Sequence, residues 1–203
     1  MCGIVGYTGT GQAKDVLLEG LKRLEYRGYD SAGIAVFDGD KLNIVKRLGK
    51  VSELVDAVSS DQCSGTCGIG HTRWATHGAP SERNAHPHTS CAGDIAVVHN
   101  GIIENFTELR EELIAKGHTF VSDTDTEVAA HLVEEGYNGN LLKAVRYAAS
   151  RLVGAYGLAV TCEQEPGTIV VTRKDSPIVL GSSEKGSYVA SDIIAVIEAT
   201  RDV

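Results

Sequence analysis

Short apolar segments bounded by turn residues constrain the fold of this chain more than any other feature of its sequence. Segments 3–7, 31–37 and 42–48 are too short for typical helices and are rich in residue types that favour strands. The pair Asp38-Gly39 between the last two segments is typical of a hairpin turn. Further strands are predicted around the segments 65–73, 94–101, 118–121, 156–161, 168–172, 178–181 and 188–190.

Helical periodicity separates these strands in blocks. In segment 13–24 the apolar residues recur at the three- and four-residue spacing of one helix face. Other helices are predicted over 51–58, from about Asn105 to Gly117, and over 140–152. Another is expected after a capping box formed by Thr124 and Glu127. Blocks of strands and helices without regular alternation predict an α+β fold, and no linker interrupts residues 1–203, so we expect one domain.

Composition excludes several classes of partner. The chain is 42% apolar and 23% charged, with a net charge of −8 and no block of Lys and Arg. Nucleic acid and anionic membrane surfaces are therefore not expected as partners. The sequence has no apolar run of the roughly 20 residues that span a bilayer and no basic segment typical of a signal peptide. We expect a cytoplasmic protein with no leader before Cys2.

The cysteine count argues against a disulfide framework. Five cysteines leave one over in any full pairing, and free thiols are the rule in the cytosol. Cys63 and Cys67, with His86 and His88 downstream, form a weak pattern for zinc. We expect no metal and no cofactor.

Cys2 is the first candidate for catalysis. Removal of Met1 would give Cys2 a free α-amine, and an amine with a pKa of about 8 can act as the base for its own thiol. This is the chemistry of N-terminal nucleophiles, in which the amine also passes the proton to the leaving group. The alternative is a cysteine that only begins a buried strand, because free Cys behaves as a small hydrophobe.

Four further segments concentrate charged, amide and glycine residues: YRGYDSAG at 26–33, HTRWATHG at 71–78, HNG at 99–101 and SDTDTE at 122–127. Each has a structural alternative. Arg73 can pair with a surface acid and Trp74 can belong to the core. Asn100 with Gly101 can form a turn, and an acid before residue 127 can cap a helix.

Taken together with CGIVGY at 2–7, NAHPH at 84–88 and VVHNGIIEN at 97–105, these motifs resemble the glutaminase domain of class II glutamine amidotransferases. The resemblance runs from residue 2 to about 190. It favours the glutamine–fructose-6-phosphate aminotransferase branch over the phosphoribosyl-pyrophosphate branch. It implies a four-layer αββα sandwich of two antiparallel sheets between helix layers, the N-terminal nucleophile hydrolase fold, whereas the residue pattern alone supports only α+β.

The chemistry of amide hydrolysis and the resemblance together suggest roles. Cys2 would attack the side-chain amide of glutamine, and the Asn100 side chain with the Gly101 N–H would bind the oxyanion. Arg73 suits the α-carboxylate of the substrate because a guanidinium binds a carboxylate in bidentate fashion. Asp125, rather than Asp123, is the family's residue for the α-ammonium group.

The resemblance alone suggests roles for the remaining candidates. Thr76 and His77 would lie in a loop that closes over the amino acid, and Trp74 would seal the site and gate ammonia. Arg27 would support the nucleophile. His86 and His99 belong to the motifs, but no role follows for them.

The resemblance also implies partners. Complete enzymes of this branch are expected to be homodimers with two sugar isomerase domains that bind fructose 6-phosphate and receive the ammonia. This chain ends short of the family's glutaminase domain, so we expect a C-terminal truncation and hydrolysis of L-glutamine to L-glutamate and ammonia. The alternatives are the glutaminase domain of another class II amidotransferase and a catalytically silent glutamine-binding domain.

Overall fold

The computed structural model describes residues 2–58 and 63–203. The described residues form ten strands and five α-helices, with short 3-10 helices at Glu25–Arg27 and Ile193–Ala195. The strands are β1 Gly3–Gly9, β2 Ser31–Phe37, β3 Leu42–Leu48, β4 Cys67–Arg73, β5 His88–Thr89, β6 Ile95–Ile103, β7 Gly154–Cys162, β8 Ile169–Lys174, β9 Val179–Ser183 and β10 Gly186–Ala190. The helices are α1 Ala13–Leu24, α2 Val51–Ala57, α3 Phe106–Ala115, α4 Glu127–Gly136 and α5 Leu141–Arg151.

The strands form two antiparallel sheets. The larger sheet has the order β3-β2-β4-β1-β10-β9, and the smaller has the order β5-β6-β7-β8. The β2-β3 pair is the hairpin that Asp38-Gly39 predicts. In the larger sheet β1 lies between β4 and β10, so the strand that follows Cys2 is central.

Alternation along the strands builds the layers. In β1, Val5 and Tyr7 pack toward α1, whereas Ile4 faces the second sheet. In β6, Val97 packs against the α3–α5 layer, and Val98 faces the larger sheet. The three resulting cores are helix on sheet, sheet on sheet and sheet on helix. This is the expected four-layer αββα sandwich.

Local signals explain two of the helices. In α1, Leu17, Leu21 and Leu24 share one face and are buried against the larger sheet. Helix α5 begins after Asn140, whose side-chain oxygen accepts a hydrogen bond of 2.9 Å from the Lys143 N–H. This cap therefore fixes the start of α5 at Leu141, the first buried residue of the helix.

Two predictions of local structure around α4 are wrong. Residues 118–121 are not a strand, and Thr124 does not cap α4 in a capping box. The Glu127 carboxylate instead reaches back to accept the N–H groups of Val121 and Ser122, both at 2.7 Å. This carboxylate accepts the backbone hydrogen bonds that a neighbouring strand would otherwise accept.

Strand β6 is longer than predicted. It continues past Gly101 to Ile103, and Asn100 and Gly101 pair with Gly157 and Tyr156 of β7. The Asn-Gly pair therefore lies within a strand and is not a turn.

Within the described ranges, no helix combines the length and the apolar character that crossing a membrane requires. Two sequence predictions fall outside those ranges: the removal of Met1, and the part of the loop after α2 that covers residues 59–62.

Candidate active site

Cys2 lies at the start of β1, beside the end of β4. Its Sγ accepts a hydrogen bond of 3.2 Å from the Trp74 N–H and lies 3.5 Å from the Trp74 carbonyl oxygen. Burial raises the pKa of the Cys2 thiol, although the Trp74 N–H acts in the opposite direction. The resting sulfur is therefore a neutral thiol that needs a base to become a nucleophile.

Asn100 approaches Cys2 from the second sheet. Its Nδ2 donates to the Cys2 carbonyl oxygen at 3.0 Å, so the amide nitrogen lies against the backbone of Cys2. Its Oδ1 accepts from Nε2 of His71, which lies 3.1 Å away and also donates to the His99 carbonyl oxygen at 2.9 Å. Because both partners are acceptors, His71 carries its proton on Nε2 and fixes which way the Asn100 amide points.

Gly101, the next residue, has a backbone conformation that favours glycine. Its φ is +132°, and a Cβ built there would overlap the carbonyl oxygen of Ala155 on β7. The close approach of the two strands therefore depends on the missing side chain.

Arg73 and Asp125 bring opposite charges into the same cleft, and each is only 3% exposed. Arg73 Nη2 donates to the carbonyl oxygens of His77 at 2.5 Å and Gly78 at 2.8 Å. Asp125 Oδ2 accepts the Ile103 N–H at 2.8 Å. Arg73 therefore retains binding capacity, because its Nη1 is buried and has no hydrogen-bond partner among the described residues.

Segment 73–78 forms the wall of this cleft. His77 packs edge-on against Phe106 with ring centroids 5.1 Å apart, and its Nδ1 lies 4.0 Å from Asp125 Oδ1. Thr76 is exposed, and the indole of Trp74 is exposed and stacks edge-on with Tyr29. Trp74 is therefore not a core residue, and its backbone is the part that contacts the nucleophile.

Two cavities meet at Cys2. A narrow cleft of about 10 Å³, the space of about one water, is lined by Cys2, Arg73, His77, Gly101 and Asp125 among others. A larger cavity of about 340 Å³ is also lined by Cys2. Trp74 and Thr76 line both, whereas Arg27 and Asn100 line only the larger one. All nine side chains or backbone groups predicted for the site therefore border these two spaces.

Arg27 is held by an ion pair. Its Nη2 donates to Asp192 Oδ2 at 2.8 Å, and its Nε donates to the Tyr26 hydroxyl at 3.1 Å. The contact with Asp192 joins the 3-10 helix Glu25–Arg27 to the segment after β10, and Arg27 lines the larger cavity.

Four histidines of the motifs, His71, His86, His88 and His99, are buried and neutral. Burial lowers the pKa of His71 and His88 to about 3 and that of His99 to about 4, and it also lowers the pKa of His86. Nε2 of His86 and Nδ1 of His99 lie 2.9 Å and 2.8 Å from the Thr126 hydroxyl. They anchor the residue next to Asp125, a role that the sequence did not suggest.

Sequence reasoning also missed Asp30 as a site residue. Its Oδ2 accepts the Ala75 N–H at 2.5 Å, and its Oδ1 lies 3.8 Å from Arg73 Nη1. Asp30, His71 and Asp192 position neighbouring groups. No local spacing or residue pattern predicts these supporting roles. Asp30 and His71 do lie within the motifs YRGYDSAG and HTRWATHG, which was the only available signal.

The weak zinc pattern is not assembled. His86 and His88 bind the hydroxyls of Thr126 and Thr124, and Cys63 Sγ lies 3.7 Å from the Asn43 carbonyl oxygen. In the part of the chain that the structure describes, these histidines and Cys63 do not share a metal cluster.

A family model described as a glutamine amidotransferase domain matches residues 71–198. The chain belongs to the glutamine amidotransferase family. This glutamine amidotransferase domain is 56% identical over 203 residues to a glutamine–fructose-6-phosphate aminotransferase (isomerizing) of Thermus thermophilus. It is 53% identical over 203 residues to the protein of that name from Caldanaerobacter subterraneus subsp. tengcongensis. Each match covers 100% of this chain and 33% of the relative, so the chain spans about a third of their length.

Solved structures agree on the fold of this amidotransferase domain. A glutamine phosphoribosylpyrophosphate amidotransferase of B. subtilis, complexed with ADP and GMP, superposes with a TM-score of 0.84 at 30% identity. The match covers 97% of this chain and 43% of that one. The fold is that of the N-terminal nucleophile amidotransferases, as the resemblance implied.

Proposed function

We propose that this domain hydrolyses the side-chain amide of L-glutamine with Cys2 as the nucleophile. The observation that carries the proposal is the position of Cys2, whose backbone carbonyl accepts the Asn100 amide and which lines the same cleft as the buried Arg73 and Asp125. Attack of sulfur on the amide carbon forms a C–S bond, and collapse breaks the C–N bond and releases ammonia. Water then hydrolyses the thioester to glutamate and restores the thiol.

Proton transfer in this scheme belongs to the α-amine of Cys2. The amine takes the thiol proton during attack and gives it to the departing nitrogen, which requires prior removal of Met1. Burial disfavours the thiolate of Cys2, so a base bonded to the same residue is well placed to supply the reactive form.

The negative charge of the tetrahedral intermediate needs donors that are already in place. The Asn100 amide nitrogen and the Gly101 N–H are assigned this role, and His71 is assigned as a positioning residue because it holds Asn100 Oδ1. One such donor contributes about 3–4 kcal/mol in the transition state.

Recognition of the free amino acid is assigned to the two buried charges. The Arg73 guanidinium would take the α-carboxylate in place of the His77 and Gly78 carbonyls, and Asp125 would take the α-ammonium. Since the cleft holds about 10 Å³, entry of glutamine requires outward movement of the segment that carries Thr76 and His77. That segment would then act as the lid.

The wider enzyme is also a proposal. The relatives named above support a role for residues 1–203 as one glutaminase domain of a glutamine–fructose-6-phosphate aminotransferase, in which sugar isomerase domains receive the ammonia. The cavity beyond Cys2, walled by Arg27, Trp74 and Ile102, offers the ammonia a route away from the cleft. The homodimeric state and the cytoplasmic location stay predictions.

The test measures ammonia and glutamate release by this chain and by Cys2→Ala, with Cys63→Ala as the matched control for loss of a thiol elsewhere. We expect no turnover for Cys2→Ala, retained binding of glutamine by calorimetry, and full turnover for Cys63→Ala. Intact-mass spectrometry of each preparation reports whether Met1 is present. Full activity in protein that retains Met1, or in Cys2→Ala, would refute the mechanism. Binding without turnover in the wild type would identify a glutamine-binding domain.

A further inference from the structure

A second cluster of reactive side chains lies away from Cys2, at one end of α4. Cys91 comes from the turn between β5 and β6, His118 from the loop after α3, and His131 and Glu134 from α4 itself. One donor atom from each lies within 4.8 Å of the others. Cys91 is exposed, whereas His131 is buried, so the cluster is anchored in the core and open to solvent on one side.

Four of the six distances between the donor atoms are close to those between ligands of one tetrahedral metal ion. Cys91 Sγ lies 3.6 Å from Nδ1 of His118 and 3.6 Å from Nδ1 of His131. Both Nδ1 atoms lie 3.0 Å from Oε2 of Glu134. Tetrahedral zinc, with its usual bond lengths, places sulfur and nitrogen about 3.6 Å apart and nitrogen and oxygen about 3.3 Å apart.

Hydrogen bonding alone accounts poorly for the same contacts. If both Nδ1 atoms donate to Glu134, a neutral ring would leave Nε2 as an acceptor. Yet Nε2 of His118 lies 3.8 Å from Glu135 Oε1, and Nε2 of His131 lies 3.8 Å from Glu127 Oε1. Two neutral rings, with centroids 5.0 Å apart, would therefore each place an unprotonated nitrogen opposite a carboxylate oxygen.

A metal ion on the two Nδ1 atoms removes this conflict. Each Nε2 would then carry its proton and point it toward a carboxylate, the usual outer partner of a metal-bound histidine. The Thr119 N–H approaches Cys91 Sγ at 3.4 Å, and the Cys91 N–H donates to both oxygens of Glu134 at 3.1 Å. These contacts stabilise negative charge on the sulfur and orient the carboxylate.

We propose that Cys91, His118, His131 and Glu134 bind a zinc ion. Thiolate, imidazole and carboxylate are the donors that zinc takes, and four protein ligands are typical of a structural site. Binding forms a Zn–S bond, and the Cys91 thiol proton leaves to solvent, so the thiolate and the carboxylate balance the charge of the ion. The ion would tie the β5-β6 turn and the loop after α3 to α4, which begins two residues after Asp125.

This site is independent of glutamine hydrolysis, so the two proposals can fail separately. The test removes metal from the whole chain with a chelator and titrates it with zinc alone against a chromophoric competitor. Cobalt(II) replaces zinc in a parallel titration, because a thiolate ligand gives a charge-transfer band in the near ultraviolet. The variants are Cys91→Ala, Cys63→Ala as the matched thiol control, and Cys2→Ala, which removes any chelation by an N-terminal cysteine.

We expect one zinc per chain in the wild type, in Cys63→Ala and in Cys2→Ala, with a rise in melting temperature on zinc addition. Cys91→Ala should weaken zinc binding by about 100-fold or more and abolish the charge-transfer band. Because Cys91 is exposed, this variant should fold, and circular dichroism checks that it does. Substoichiometric binding by the wild type at about 10 µM free zinc, or unchanged affinity in Cys91→Ala, would overturn the proposal.

Discussion

Replacing Asn100 by Asp tests the proposed oxyanion site with the smallest change of shape. The side chain is 7% exposed, and its Oδ1 can keep the contact with Nε2 of His71. The atom that faces the Cys2 carbonyl at 3.0 Å, however, changes from a donor nitrogen to a charged acceptor. Loss of one oxyanion donor costs about 3 kcal/mol in the transition state, which corresponds to about 160-fold in kcat. The added charge near the sulfur also disfavours the thiolate, so the expected loss is 100-fold to about 1000-fold.

The assay compares kcat and KM for glutamate release by the wild type, by Asn100→Asp and by Asn138→Asp. Asn138 is exposed, so its variant adds the same charge at the surface and controls for net charge. We expect KM for Asn100→Asp to stay within about threefold, because Arg73 and Asp125 are assigned to substrate binding and are unchanged. A kcat within tenfold of the wild type, or a loss confined to KM, would refute the assignment of Asn100.

Two further predictions concern Arg73 and the buried histidines. Arg73→Lys replaces a bidentate guanidinium by a point charge and should raise KM for glutamine by about 10- to 100-fold, with kcat less affected; steady-state kinetics check this, and an unchanged KM contradicts it. Acidification should lower the free energy of unfolding as the pH falls below about 6.5, the pKa of an unfolded histidine. Burial lowers the pKa of His71 and His88 to about 3 and that of His99 to about 4. Between these values and about pH 6.5 the unfolded chain therefore binds protons on these histidines that the folded chain does not bind. Each contributes a loss of about 2 kcal/mol by pH 5, which urea unfolding midpoints between pH 8 and 4 measure; a flat profile would contradict the burial argument.

The sequence predicted most of the elements because their signals are local. Segments 31–37 and 42–48 and helix 13–24 have the bounds that periodicity and turn residues indicated. The wrong predictions at 118–121 and at the start of α4 share one cause. The Glu127 carboxylate binds the backbone N–H groups of Val121 and Ser122 in the loop before the helix, and not that of Thr124 as a capping box requires. The spacing of the residues does not show which of these partners the carboxylate takes.

The motifs likewise predicted the reactive and binding groups of the site, but not the residues that hold those groups in position. Cys2 and Arg73 are recognisable because a thiol and a guanidinium have distinct uses in amide hydrolysis, whereas the choice of Asp125 over Asp123 came from the resemblance. The resemblance, and not the residue pattern, supplied the four-layer sandwich.

Tertiary structure alone decided which residues meet across the sheets. The sequence determined the strands, the helices and the reactive groups, since each depends on neighbours a few positions away. Packing of one sheet on the other set His71 against Asn100, and packing of α4 beside the β5-β6 turn set His131 against Cys91. Those contacts join positions 29 and 40 residues apart, and such pairings follow from how whole layers pack, which no local pattern encodes.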